Sequence, residues 1–381
     1  MGFKSANRAV LLAGLETSYG EGAASFQGIL ADKGVEITPN AERIERNIIR
    51  ASLTPVAPRV GAKQFALRFD LEMKGGGLDS GVLQEPEVDP LLQACGMQRE
   101  TGYVLELTGV SGTFQVGETV NNTTALNAVG EVLDVDGTRL YIRAGQNKPA
   151  ANDSIQGADS GATAMVNAAY DSFVYRPMSD TPNMASAAVR FWRDGIDHLL
   201  TGVRGTFELD LTLSQIPKFT FSLTGIFNDP TDTPEPSVTF ADVKPPVCLG
   251  VNLYVGGAST QDVISANSVQ VRIGNEVRAI GDLKAPEGRK GFFIVDRSPD
   301  GSIDPFVQDL ADFDPWEDWK TAGAQKISAE VGSGPGNNIK ILVPEAVYNE
   351  ISYQERDSFL AYNLPFTCTG DEDDELWLIF W

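Results

Sequence analysis

Residues Gln64 to Lys74 read QFALRFDLEMK: Phe65, Leu67, Phe69, Leu71 and Met73 alternate with Gln64, Arg68, Asp70, Glu72 and Lys74. Successive side chains of a strand point to opposite faces, so a strict period of two predicts a half-buried strand with one core face and one wet face. The same alternation recurs in Thr206–Leu213 (TFELDLTL), Phe219–Leu223 (FTFSL), Val269–Ile273 (VQVRI), Ile327–Val331 (ISAEV) and Ile339–Val343 (IKILV). Clusters rich in Asp, Asn, Gly and Pro separate these segments, as at 228–237, 297–302 and 332–338; such residues set turn geometry. Helix signals are sparse: Asp89–Cys95, with Pro90 suited to a first turn and Gly96 to a cap, and Phe306–Lys320, acidic early and ending on lysine. The expected class is mainly β with a few short helices.

Composition narrows the function. A chain of 381 residues with 42% hydrophobic content can fill two or more cores. Its 52 acidic residues against 30 basic ones give a formal charge of −22, which opposes any surface built to grip nucleic-acid phosphates or anionic lipid. Contact with DNA, if made, is expected to be non-adhesive. Cys95, Cys248 and Cys368 are far apart and form no CxxC pair, so buried free thiols in a reducing cell are expected rather than a disulfide framework or zinc site. No apolar run reaches the roughly 20 residues of a membrane span, and Ala9–Leu15 lacks a convincing cleavage site after it. The protein is expected to be made in a cytoplasm and to avoid membranes.

No chemistry finds a home in the motifs. His198 is the one histidine, in RDGIDHLL at 193–200 beside Asp194 and Asp197; a general base needs a tuned partner and a cleft, and Asp194-Gly195 reads as a turn leading into a strand. A lone histidine and scattered cysteines offer no transition-metal ligand set. Asp296, Ser298, Asp300 and Gly301 superficially open an EF-hand loop, but Val307 stands where the bidentate glutamate is required. The acidic run 371–375 is expected to be solvated and self-repelling, and neither GGG at 75–77 nor GSGPG at 332–336 is followed by the lysine of a phosphate loop. No carboxylate pair stands out for glycoside hydrolysis. Hence no catalytic, metal or cofactor site is assigned.

Composition also divides the chain. Residues 231–246, within a Pro/Asp/Thr-rich tract, read as a linker, and 103–169, poor in charge and rich in Gly, Ala, Thr and Asn, as an inserted small β module. Inside it, FQVGETVNNTTALNAVGEV (114–132) partly echoes PAANDSIQGADSGATAMV (149–166) around the hairpin VDGTRLYI. Without the module, a first part (1–102 plus 170–230) and a second (247–381) are similar in size, compatible with internal duplication.

The stretches LLAGLETSYGEGA (11–23), ERNIIRASLTPVAPRVGAKQFALRFDLEMKGGG (45–77), VDPLLQACG (88–96), YRPMS (175–179), VRFWRDGIDHLLTGVRGTFELDL (189–211) and KFTFSLTGIFNDP (218–230) resemble the major tail tube proteins of long-tailed, siphovirus-type bacteriophages. FDPWEDWKTAG (313–323) and GNNIKILVPEAVY (336–348) resemble them in layout, whereas 103–169 departs from the family and is similar to the small β insertions that decorate virion proteins. The resemblance implies tandem β-sandwich or split-barrel domains, a virion structural role without enzymatic activity, and self-assembly into stacked rings forming the tube through which the genome passes. It also implies partners at the tube ends, the tail terminator and the distal tail and tape-measure proteins. On this reading Asp70, Glu72, Glu208 and Asp210 are candidates for the lumen face, where like charge would hold DNA off the wall over a Debye length of about 8 to 10 Å. Phe65, Leu67, Phe69, Phe207, Leu209 and Leu211 would form the core behind them. Duplicated domains favour a trimeric ring with pseudo-sixfold symmetry over a hexamer, with the module projecting outward. LWLIFW at 376–381 is expected to be buried, with Trp377, Phe380 and Trp381 as candidate subunit contacts. The alternatives are a β-rich virion or cell-surface adhesin binding host glycan or receptor, kept open by the module, and a virion hydrolase.

Overall fold

The computed structural model describes residues 4, 5, 8–256 and 262–381. The regular structure of the described residues is almost all strand, the exceptions being two short helices, Asp89–Ala94 and Pro315–Thr321. The first helix has proline at its start and is followed by Gly96 at φ +77°, which a side chain would strain. The second is shorter than the expected Phe306–Lys320. Pro315 restricts the residue before it, and Asp314 (φ −116°, ψ 79°) instead caps the N–H groups of Trp316 and Glu317.

The founding alternation lies in the strand Arg59–Glu72, where Phe65, Leu67, Phe69 and Leu71 are buried while Arg68 and Asp70 are exposed. One continuous antiparallel sheet is built around it. Its spatial order is Glu36–Ile44, Arg59–Glu72, Lys218–Phe227, Ile196–Thr212, Ala266–Arg272, Asp300–Pro305, Phe359–Thr369 and Ser352–Arg356. Behind it lies a second layer. At one end Gln27–Ile29, Ala9–Leu15 and Ala187–Arg193 pair onto the start of Ile196–Thr212. At the other, Asn252–Gly256, Gln325–Gly332 and Asn338–Tyr348 do the same, the last joining Phe359–Thr369. Both layers contribute to one apolar core that runs through the two parts: Leu11, Phe191, Phe207 and Phe221 share it with Leu253, Ile327, Leu364 and Phe366.

The two parts repeat one pattern of pairings, down to an irregularity. The register slips by a residue between Ala187 and Val189 opposite Ile196–Thr212, and again between Gln325 and Ile327 opposite Asn338–Tyr348. They meet where Glu208–Thr212 pairs with Ser268–Arg272. The tract 231–246 is no free tether: Thr231–Asp232 pairs with Ile196–Asp197, and Val238 and Phe240 lie over Gly28, where a Cβ would clash.

The strands Met97–Ser111 and Thr163–Pro177 pair with each other and run straight through the expected module boundaries. Beyond them, Leu105, Phe114, Val120, Val132, Leu140, Ile155 and Val166 form a separate small core. The sequence echo is geometric: the Glu118 carboxylate accepts the N–H of Gln115 as Asp153 accepts that of Ala150. Likewise Val132 N–H donates to the Glu118 carbonyl as Val166 N–H does to that of Asp153.

Candidate assembly surface

Alternation puts all four candidate acids on one face. Asp70, Glu208 and Asp210 are exposed and Glu72 is partly so, while Phe65, Leu67, Phe69, Phe207, Leu209 and Leu211 are buried behind them. Pairing then sets them in rows across the sheet. One row runs Asp70, Thr220, Glu208, Arg272, Asp300; the next runs Glu72, Lys218, Asp210, Gln270, Ser302. The rows are not purely acidic. Arg272 sits between Glu208 and Asp300 and is ion-paired with the latter, and Lys218 sits between Glu72 and Asp210 and is ion-paired with Asp32. The Thr220 hydroxyl donates to Asp70 at 2.8 Å. In these two rows the face carries an acidic excess whose bases Arg272 and Lys218 are held locally, while Arg68, two residues before Asp70 on the same face, is an exposed cation. Sequence reasoning found the acids by their period but missed Arg272 and Lys218 as their neighbours, because pairing across strands joins residues far apart in the chain.

The sheet has two open ends. Glu36–Ile44 pairs along one edge with Arg59–Glu72, and Ser352–Arg356 along one edge with Phe359–Thr369; among the described strands, neither has a partner on its other side. Unpaired N–H and C=O rows are templates for another strand. Beyond the first edge, residues 45–58 form the tip of an arm that exposes Ile48, Ile49 and Leu53, with Ile44 and Val60 exposed at its base. A second hairpin, Asn275–Gly281 with Arg289–Arg297, continues the strands Ala266–Arg272 and Asp300–Pro305 in the same way. Its tip is folded down: Lys63 N–H donates to the Glu287 carbonyl at 3.1 Å, Lys63 ion-pairs with Glu287 and Arg289 with Glu42. The Tyr19 ring stacks on Phe293 at 5.4 Å, and its hydroxyl accepts Phe292 N–H at 2.6 Å and donates to the Gly202 carbonyl at 2.9 Å. The first arm gave no warning in sequence, since its isoleucines look like core residues.

Trp377, Phe380 and Trp381 are 3%, 1% and 2% exposed within the single chain. The strand Trp377–Phe380 lies between Thr163–Pro177 and Asn338–Tyr348, paired on both edges, with Trp381 edge-on to Tyr141 at 5.6 Å. Burial is as expected, but the enclosure comes from the chain itself; a role between subunits would require this strand to leave its own sheet. Around it, charges tie the module to the second part. Lys340 is fully buried, 2.6 Å from Asp134 and over the Tyr141 ring at 3.8 Å, and the Tyr141 hydroxyl donates to Glu330 at 2.7 Å. Burial works against the charge of Asp134, but Lys340 and Lys326 outweigh it and hold its pKa below the usual carboxylate value.

His198 is a strand residue opposite Phe191 and edge-on to Phe65 at 5.9 Å. Burial depresses its pKa, and the adjacent Asp197 bonds Arg190 instead, at 3.0 Å. The three thiols are buried, and burial pushes Cys248 up to about 11 and the other two further, which opposes thiolate formation. In the acidic run, expected to be solvated, Asp373 and Glu375 bind Arg297 and the Asp374 carboxylate accepts the N–H of Asp371.

A family model described as phage tail tube protein matches residues 6–374. No curated protein matches the chain.

Proposed function

The chain belongs to the phage tail tube protein family, structural components of the virion tail, and we propose that three copies close head to tail into a ring of six similar units. Rings of this kind stack into the hollow tube of a long-tailed, siphovirus-type bacteriophage and pass the genome during ejection. The observation that carries this reading is the repeated strand order, which leaves a different open edge at each end of the sheet. An interface between two different edges is heterologous, and it closes into a ring when the rotation per subunit divides the circle. Two units per chain make three chains sufficient where single-unit subunits would need six. The units correspond to 1–102 plus 170–230 and to 247–381, joined by 231–246.

The polar sheet face, with Asp70, Glu72, Glu208 and Asp210, is assigned to the lumen. DNA meets there an acidic excess in which Lys218 and Arg272 are already engaged by Asp32 and Asp300 and Arg68 is the exposed base beside Asp70, so counterion release adds little adhesion. The 103–169 module hangs from the layer behind the core, through Asn338–Tyr348 and Trp377–Phe380, which points it to the tube exterior. The exposed isoleucines of the first arm supply apolar surface for the next ring. The tube ends meet the terminator and the distal tail and tape-measure proteins.

Negative-stain microscopy paired with light-scattering mass tests this directly. Rings or striated tubes built on a unit of three times 41.0 kDa are expected. A six-chain ring overturns the trimer, and a protein that stays monomeric even with its initiating tail complex overturns the tube.

A further inference from the structure

The chain contains one joint between units, and its two open edges are the halves of another. We propose that the joint between neighbouring chains copies the joint inside the chain: Ser352–Arg356 of one copy lies antiparallel on residues 34–38 of the next, in one fixed register. This rests on the ring reading and adds the identity and alignment of the contacting segments.

The register follows from the repeated pairings. Inside the chain Leu209 faces Val271 and Leu211 faces Val269. Leu209 pairs with core residue Phe219 on its other side, as Tyr353 pairs with Tyr362, which places Tyr353 where Leu209 stands and Glu355 where Leu211 stands. On the receiving side, Val269 faces Ile303 and Val271 faces Gly301, as Ile37 faces Leu67 one pair along from Glu36 and Arg68. Ile303 faces Leu364 as Phe69 faces Phe221, so Val35 takes the place of Val269 and Ile37 that of Val271. The joint between chains then sets Tyr353 opposite Ile37, Gln354 opposite Glu36 and Glu355 opposite Val35. Tyr353 is exposed in the single chain, and its ring would cover Ile37.

A groove supports the same assignment independently. Beside the open edge lies a cavity of about 240 Å³ lined by Leu11, Ile29, Val35, Phe191 and Phe240, with Lys33 and Arg193 also lining it. Its counterpart inside the chain, beside Leu253, Ile264 and Val269, is walled by Leu211 and Leu213 of the incoming strand. In the joint between chains those two positions become Glu355 and Asp357, and the groove that receives them holds the exposed cations Lys33 and Arg193. The interior joint is sealed by leucine; the exterior one is matched by charge, which suits segments that must stay in water until they meet.

Cysteine pairs in the full chain read the register, because the three native thiols are buried and directly opposed strand residues fall within disulfide reach. The variant Ile37→Cys with Tyr353→Cys, oxidised after assembly, is expected to lose its monomer band to covalent trimer. Glu36→Cys with Tyr353→Cys, one residue out of register and on opposite faces, is expected to remain monomeric in denaturant. A zero-length carbodiimide on wild-type rings, which avoids any folding defect, is expected to join Lys33 to Glu355 or Asp357 of the neighbour. Rings of normal mass that give neither the 37–353 disulfide nor the Lys33 link overturn this joint while leaving the ring reading intact. Absence of rings under every condition overturns both.

Discussion

The two arms are the same device with different fates. Asn275–Gly281 with Arg289–Arg297 folds onto its own chain, its aromatic face against Tyr19 and its tip against Lys63 and Glu42. Both arms expose apolar residues, Ile280, Leu283 and Val295 on the second and Ile48, Ile49 and Leu53 at the tip of the first, but among the described residues only the second is clamped by an aromatic stack and ion pairs. The difference teaches where the molecule ends. The second arm is clamped within its own chain, whereas on the stacking reading the tip of the first finds its cover in another copy.

The largest effect should come from removing the clamp on the second arm. Tyr19→Ala loses a stacked ring and two hydrogen bonds and is expected to cost about 3 kcal/mol in chemical denaturation, with faster hydrogen exchange over 289–297. The tip ion pair is partly exposed, so Arg289→Ala should cost no more than about 1 kcal/mol in the same measurement. The smallest effect on stability belongs to the first arm: Ile49→Ser with Leu53→Ser should leave unfolding within about 0.5 kcal/mol of the wild type. The same variant should give rings that do not stack, seen by microscopy. If it instead destabilised the isolated chain, the contrast between the arms would fail.

Alkali sharpens the contrast further. Burial raises the Tyr19 pKa above its ordinary value of 10.0, so the folded state favours the neutral phenol. Its contribution to stability is complete below pH 10 and is lost as the pH rises through the raised value. Release of the second arm on alkalisation should therefore be visible as loss of near-ultraviolet dichroism, with that component absent from Tyr19→Phe and unaffected by changes at the tip of the first arm, 45–58.

Much of this was legible in the sequence where the cause is local. The alternation of Gln64–Lys74 named the buried and wet faces residue by residue, and Pro90 marked the first helix. Asp70 shares a face with Glu72, and Glu208 with Asp210, because a period of two is a property of the strand alone; pairing through Lys218–Phe227 puts both pairs on the same face. What was illegible depends on partners. Arg272 beside Glu208, or Arg297 beside Glu375, is a fact of pairing between distant segments. The aromatic run at 376–381 announced its burial but not its neighbours, since hydrophobicity specifies that a surface is covered and leaves open by what. Ile48 and Ile49 show the converse failure: an apolar residue left exposed on an arm looks in sequence like one destined for the core.

The hydrogen-bonded joint of Glu208–Thr212 with Ser268–Arg272 has a mechanical consequence. When a tail flexes, load passes from unit to unit through adjacent strands and the shared core, and the peptide crossing at 233–246 lies packed alongside that path, with Val238 and Phe240 over Gly28. A single proteolytic nick in that crossing should leave two fragments that travel together and bear strain as the intact chain does. What holds one unit to the next is the weave of the sheet, and the thread of the backbone is incidental to it.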